Sequence, residues 1–208
     1  MKHRNILAAY LLLVTMALSA GDTVTFGGLT SRSRVIDGER QVVLTGDAWI
    51  ETGDIRISSE EIVLSGSSYR FAECTGSVIV EDRGQDIRLS TTRLSYDRVT
   101  TQATARGWAE LEDPSGELIA RGGFISNNSS QRTTLIQIAA RILKSTDEGA
   151  MLCRADSILY DEAAQELELT GNAVVLWNQD EYRAAFIRIN LETNEISLEG
   201  DVSGVIYD

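Results

Sequence analysis

Glycine recurs in this chain on a period of about thirty residues, which is the mark of a stacked repeat. Gly46, Gly76, Gly107, Gly171 and Gly200 fall on that beat, with one glycine missing between Gly107 and Gly171. Each sits between two runs of alternating apolar and polar residues, as in VVLTGDAWIETGDIRISSEEIVLSG. Val42, Leu44, Gly46, Ala48 and Ile50 share one face there, with Thr45 and Asp47 on the other. Period-two alternation means strands with one apolar and one wet face. A chain of such units must fold as a stack, which makes a surface or a groove more readily than a catalytic pocket.

Five and a half two-stranded units are legible, and clusters such as Thr52-Gly53-Asp54 and Asp147-Glu148-Gly149 mark the turn inside each. In the second strand the inward phase slips at a pair of small residues. Ile57, Leu89 and Cys153 lie on one phase, and Ile62, Leu94 and Ile158 on the other, so a bulge or bend is expected there. The beat glycines read as inward positions where a strand bends or is closely approached. In the fourth unit, Ala140 reads as the residue standing where the glycine is due: if the beat only indexes the stack this costs little, and if it shapes a groove the groove is expected to narrow or splay there. No long segment of helical period follows Ala20. The domain is read as residues 40–208. Residues 21–39 carry no strong pattern and are read as an edge or mobile segment.

Residues 1–20 read as a cleaved secretory signal. Lys2, His3 and Arg4 precede an apolar stretch from Ile6 to Leu18, and small residues follow. That stretch is short for a membrane span of about 20 residues. Two of the 19 basic residues, Lys2 and Arg4, lie in the signal, so the remainder is still more strongly outnumbered by the 31 acidic ones. Such a balance argues against nucleic acid as a partner. The single histidine, His3, is also in the signal, so histidine-based catalysis and histidine metal sites are excluded from the rest. Cys74 and Cys153 fall on apolar positions two units apart and are read as buried free thiols rather than a disulfide. The acidic residues Asp54, Glu60, Glu61, Asp82 and Asp86 have no recurring ligand spacing, so they read as a solvated face. No metal, cofactor or catalytic residue is expected.

The repeats LTGDAWIETGDIRISSEEIVL and LTGNAVVLWNQDEYRAAFIRINLETNEI, behind an apolar leader, resemble those of the LptA/OstA family of periplasmic lipopolysaccharide-transport proteins. The shared grammar is G-[DN]-A in apolar alternation, a turn, a small-residue step and a return, and it covers residues 40–206. The resemblance implies an all-β fold, an open antiparallel β-jellyroll shaped as a twisted V. It also implies periplasmic location, an apolar groove shielding the acyl chains of lipopolysaccharide or another acyl lipid, and transport between the inner and outer membranes. Partners on this reading are LptC-like inner-membrane and LptD-like outer-membrane domains joined edge to edge, or further copies of the chain. The half-unit after Glu195 ends in an uncapped strand suited to such joining.

Inward positions of the repeat supply the candidate groove residues: Ile50, Ile57, Val78, Val80, Leu111, Ile138, Ile142, Leu169, Val175, Trp177, Ile187, Leu198 and Val202. The same residues would equally fill a sandwich core. Two other readings therefore stay open. One is an adhesin-like β-repeat scaffold without lipid cargo. The other is a carbohydrate-active enzyme on a β-helix, for which no carboxylate pair stands out.

Overall fold

Alternation on this scale yields strands, and in a computed structural model of the chain every regular element among the described residues is a strand apart from one 3-10 turn at Ser67–Tyr69. It describes residues 24–36, 38–84, 86–113, 118–146 and 149–207; residues 1–20, read above as a signal, lie outside them. The strands are β1 (Thr25–Gly27), β2 (Thr30–Ile36), β3 (Glu39–Thr52), β4 (Ile55–Ser65), β5 (Phe71–Asp82), β6 (Ile87–Asp97) and β7 (Gln102–Glu112). They continue as β8 (Leu118–Asn128), β9 (Thr133–Thr146), β10 (Gly149–Asp161), β11 (Glu166–Trp177), β12 (Asp180–Asn190), β13 (Glu195–Glu199) and β14 (Ser203–Val205). All belong to one antiparallel 14-stranded sheet. Each of β3 to β12 pairs with its neighbours in sequence, and the first and last strands do not meet, so the sheet is open.

Every long strand is interrupted in its middle. Between β3 and β4, pairing runs to Thr45 with Glu61 and resumes at Ala48 with Ser59, so Gly46 and Asp47 face Glu60 alone. The same two-against-one bulge recurs in the pairs β5–β6, β7–β8, β9–β10 and β11–β12. Gly46 and Asp47 are both left-handed, at φ 72 and 49, as are Gly171 and Asn172 at 78 and 49. Glycine adopts that conformation without strain. In β4 the Ser59 hydroxyl donates to the Glu61 carbonyl at 2.8 Å, satisfying an acceptor that the interrupted ladder leaves free. The expected slip at the small pair is thus present, and the glycines mark the opposite side of the same bulge.

The bulges explain the core. Among the described residues no helix covers the sheet, yet Leu44, Ile62, Ile136, Ile142, Ile158 and Leu169 are fully buried. The sheet must cover itself, folding along the line of bulges into two facing walls. Residues from both sides of that line meet around one cavity: Val42, Leu64 and Ala72 from the first wall, Ile50 and Thr52 from the second. Small inward residues line the fold: Ala48 opposite Ser59, Ala109 opposite Gly122, Ala140 opposite Ala155, and Ala173 opposite Ala184.

That row corrects the reading of the fourth unit. Ala140 is the counterpart of Ala48 and is buried. The beat position is Ile138, at φ 65 and followed by Ala139 at 58. The N-terminal boundary also moves. β1 and β2 together form one interrupted strand along β3, so the sheet begins before residue 40, with residues 25–36 as its edge.

Candidate functional site

Alternation places every second residue of each half-strand inside, and the bulges keep those positions in register from strand to strand. The result is two apolar rows running across the sheet. On the second wall, paired neighbours connect Phe26, Ile50, Ile57, Val80, Leu89, Leu111, Ala120, Ile142, Cys153, Val175 and Tyr182. On the first wall they connect Leu44, Ile62, Cys74, Leu94, Ala105, Ile125, Ile136, Ile158, Leu169, Ile187 and Leu198. At about 4.8 Å per strand these rows extend for roughly 50 Å.

Six of the sequence candidates, Ile50, Ile57, Val80, Leu111, Ile142 and Val175, therefore share one row. Leu169, Ile187 and Leu198 share the facing one. Val78 lies at the fold line and Trp177 nearer the hairpin ends. All are buried except Leu198, which is half-buried against the core near the C-terminal edge. Two candidates are not inside. Ile138 is 66% exposed, because the left-handed bulge throws its side chain outward over Gly123. Val202 is 55% exposed. It follows Gly200 as Ala173 follows Gly171, but it lies in the break between β13 and β14 at the C-terminal edge, where no further described strand covers it.

The interior opens at the N-terminal edge. A cavity of about 120 Å³ lies where β1 and β3 start the rows. Its lining is Val24, Phe26, Val42, Ile50, Leu64, Tyr69, Ala72 and Tyr96, with Thr52 and Arg98 as the polar members. Arg98 Nη1 donates to the carbonyls of Ser68 and Tyr69. Arg98 Nε and Thr52 Oγ1 are buried with no protein partner. Leaving such an atom unpaired costs about 1–3 kcal/mol, which a ligand with a polar group can offset. The segment is held by Arg70, whose guanidinium makes two bonds to Asp97, at 2.8 and 2.5 Å. The pair, with the Val99 and Thr100 amides, holds the Asp97 carboxyl well below the usual range.

Sequence reasoning misses Arg98, Thr52 and Lys144. Lys144 is the one lysine among the described residues, and it is buried on the inner face between Leu118 and Met151. Burial lowers its pKa. Its spacing from Ile142 places it on the inner phase, which is the available signal. The cysteines are free and buried as expected, and desolvation pushes each thiol up to about 12. Among the described residues no His, Cys, Asp or Glu cluster could hold a metal, and no helix is long and apolar enough to cross a membrane.

No curated protein matches the chain. A similar solved structure is the crystal structure of LptH, the LptA homologous periplasmic component of the conserved lipopolysaccharide transport device from Pseudomonas aeruginosa. It is 12% identical, covers 74% of this chain and 95% of that one, and gives a TM-score of 0.36, too low to carry any argument. The family model described as LptA/(LptD N-terminal domain) LPS transport protein matches residues 29–195, which span the bulged strands from Leu29 to the start of β13. By that match, over most of its length and on the elements that build the two walls, the chain belongs to the LptA/(LptD N-terminal domain) family of LPS transport proteins.

Proposed function

We propose that this protein carries lipopolysaccharide across the periplasm, from the inner toward the outer membrane, with acyl chains held between the two walls. The observation that carries this reading is the pair of uninterrupted apolar rows ending in an open, largely apolar cavity at one edge. Burying acyl carbons there is worth about 0.8 kcal/mol per CH₂. Arg98 and Thr52 at the open end, and Lys144 farther along the inner face, supply polar contacts for the ester, amide and phosphate groups of the lipid.

The edges support joining with LptC-like and LptD-like domains or with further copies. β1 with β2 has the form of an even strand, and β13 with β14 that of an odd one. Setting one against the other continues the alternation of the sheet. Both carry exposed apolar residues, Phe26 and Val35 on one and Val205 and Ile206 on the other. An open edge of this kind favours pairing, and a head-to-tail contact propagates as a filament.

The competing reading is a scaffold whose rows only fill a core, and the near-complete burial of ten candidates favours it. A photocrosslinker at Ile50, Ile142 or Leu143 separates the two. Carriage gives lipopolysaccharide adducts at Ile50 and Ile142 and few at Leu143, which points outward. Protein-only adducts at both inner sites would falsify carriage.

A further inference from the structure

The outer face of the second wall is not uniform. Next to the fold line, one row of paired residues runs Ser90, Glu110, Arg121, Arg141, Arg154, Val174. The row beside it runs Glu51, Arg56, Glu81, Arg88, Glu112 across β3 to β7, alternating in sign. Across β8 to β11 that second row becomes Ile119, Leu143, Leu152, Leu176. Over β8–β11 the solvent side of the sheet thus carries an apolar row beside a row of three arginines.

We propose that this outer face of β8–β11 docks on an anionic phospholipid surface, with Arg141 and Arg154 contacting lipid phosphates and Leu143 and Leu152 settling among the headgroups. Like charges directly across strands destabilise a sheet, so three in a row need an opposing anion. Within the protein, Arg121 has one in Glu110. Among the described residues, Arg141 and Arg154 form no ion pair, and both are exposed. The nearest carboxylate on β10, Asp156, accepts a bond from Asn172 at 3.0 Å and leans over Gly171. The chain has a formal net charge of −12, so an anionic bilayer repels it as a whole and contact is left to a locally basic face such as this one.

Size selects a lipid surface over a protein. Four strands and two rows cover about 250 Å², against the roughly 800 Å² per partner of a stable protein interface. A bilayer needs no such minimum, because each arginine near it contributes separately. Leu143 is 39% exposed, and Ile138, five residues back on β9 at the fold line, is 66% exposed, which leaves apolar surface for the headgroup region. This docking does not depend on what the interior carries.

The test is co-sedimentation of the purified protein with vesicles of phosphatidylcholine containing phosphatidylglycerol, and with phosphatidylcholine alone. Binding is expected only to the anionic vesicles, falling with added salt. Arg141→Gln/Arg154→Gln should weaken it about thirtyfold, the effect of two arginines at roughly 1 kcal/mol each. Leu143→Ser/Leu152→Ser should weaken it as well. Arg56→Gln/Arg88→Gln, on the same wall in the sign-alternating row, should leave it unchanged and serves as the folded control. Equal binding to both vesicles, or equal losses in the Arg141/Arg154 and Arg56/Arg88 variants, would overturn the proposal. So would an oligomer in solution that the Leu143→Ser/Leu152→Ser variant dissolves, since the face would then serve a second copy.

Discussion

The fold line is built in one way at five of its layers and in the reverse way at one. In β11 the left-handed pair is Gly171–Asn172, and the side chain of Asp156 from β10 fills the space a Cβ would take, 2.4 Å from where it would stand. Glu60 over Gly76, Thr92 over Gly107, Ala185 over Gly200 and Leu29 over Gly46 repeat that arrangement. In β9 the left-handed residue is Ile138, and the residue beneath it on β8 is Gly123, where an added Cβ would meet the Ile138 side chain at 2.9 Å. Each layer therefore holds one side chain and one glycine. The fourth layer has exchanged them across the strand pair, at the cost of placing a β-branched residue in a conformation it rarely adopts.

Importing the exception into a regular layer should have the largest effect. Gly171→Ile forces Asp156 aside and strains β11, and should lower stability by about 3 kcal/mol in urea unfolding. Adding Asp156→Gly copies the β8–β9 arrangement and should recover the part due to the clash. A double variant no more stable than the single one would show that the exchange is not the compensating element.

The converse change has a smaller effect. Gly123→Asp places a side chain against Ile138 and should cost about 2 kcal/mol. Ile138→Gly in the same chain rebuilds the pattern of the other layers and should remove most of that loss. The coupling from the full cycle should exceed about 0.5 kcal/mol, the level that separates contacting from independent sites. Additive effects would mean that the two residues do not share one space.

The exchanged layer is also where the sequence is hardest to read, for a physical reason. Alternation reveals both walls because burial on one face of a strand writes itself with period two, and the slip between Ile57 and Ile62 announces the bulge. A search for a small residue in place of the fourth glycine lands on Ala140. The midpoint between Gly107 and Gly171 falls close to Ile138 instead, but nothing in an isoleucine announces a positive φ. The strand Thr30–Ile36 is legible only as an edge or mobile segment. Both its faces are exposed, so TSRSRVI carries no alternation. Arg98 and Thr52 escape notice because period assigns a face and says nothing about where two walls part. The hairpin after β6 that carries Arg98 defines the open end only once it lines one cavity with β1.

Ile138→Gly alone is the milder test. The strain of a non-glycine left-handed residue is of order 1–3 kcal/mol, and glycine's extra unfolded-state freedom offsets roughly 1 kcal/mol of its relief. Little burial is lost, since the side chain is exposed. The variant should be more stable by about 1 kcal/mol, a rise in Tm of roughly 2–4 °C for a domain of this size. A lower Tm would mean that the contact of Ile138 with Gly123 outweighs the strain.

The smallest expected effect concerns local opening rather than global stability. Cys74 and Cys153 are both buried, and desolvation pushes each thiol up to about 12, so neither reacts while the sheet is closed. Labelling by a thiol reagent at mildly alkaline pH then reports how often each region opens. Cys153 lies on β10, paired with Ile142 of the strained strand, whereas Cys74 lies on β5 in a regular layer. If about 1 kcal/mol of strain is stored in the fourth layer, Cys153 should label roughly fivefold faster than Cys74. Ile138→Gly should slow Cys153 and leave Cys74 alone. Equal rates in the wild type, or a slowing at both cysteines, would place the strain across the whole sheet rather than in the exchanged layer.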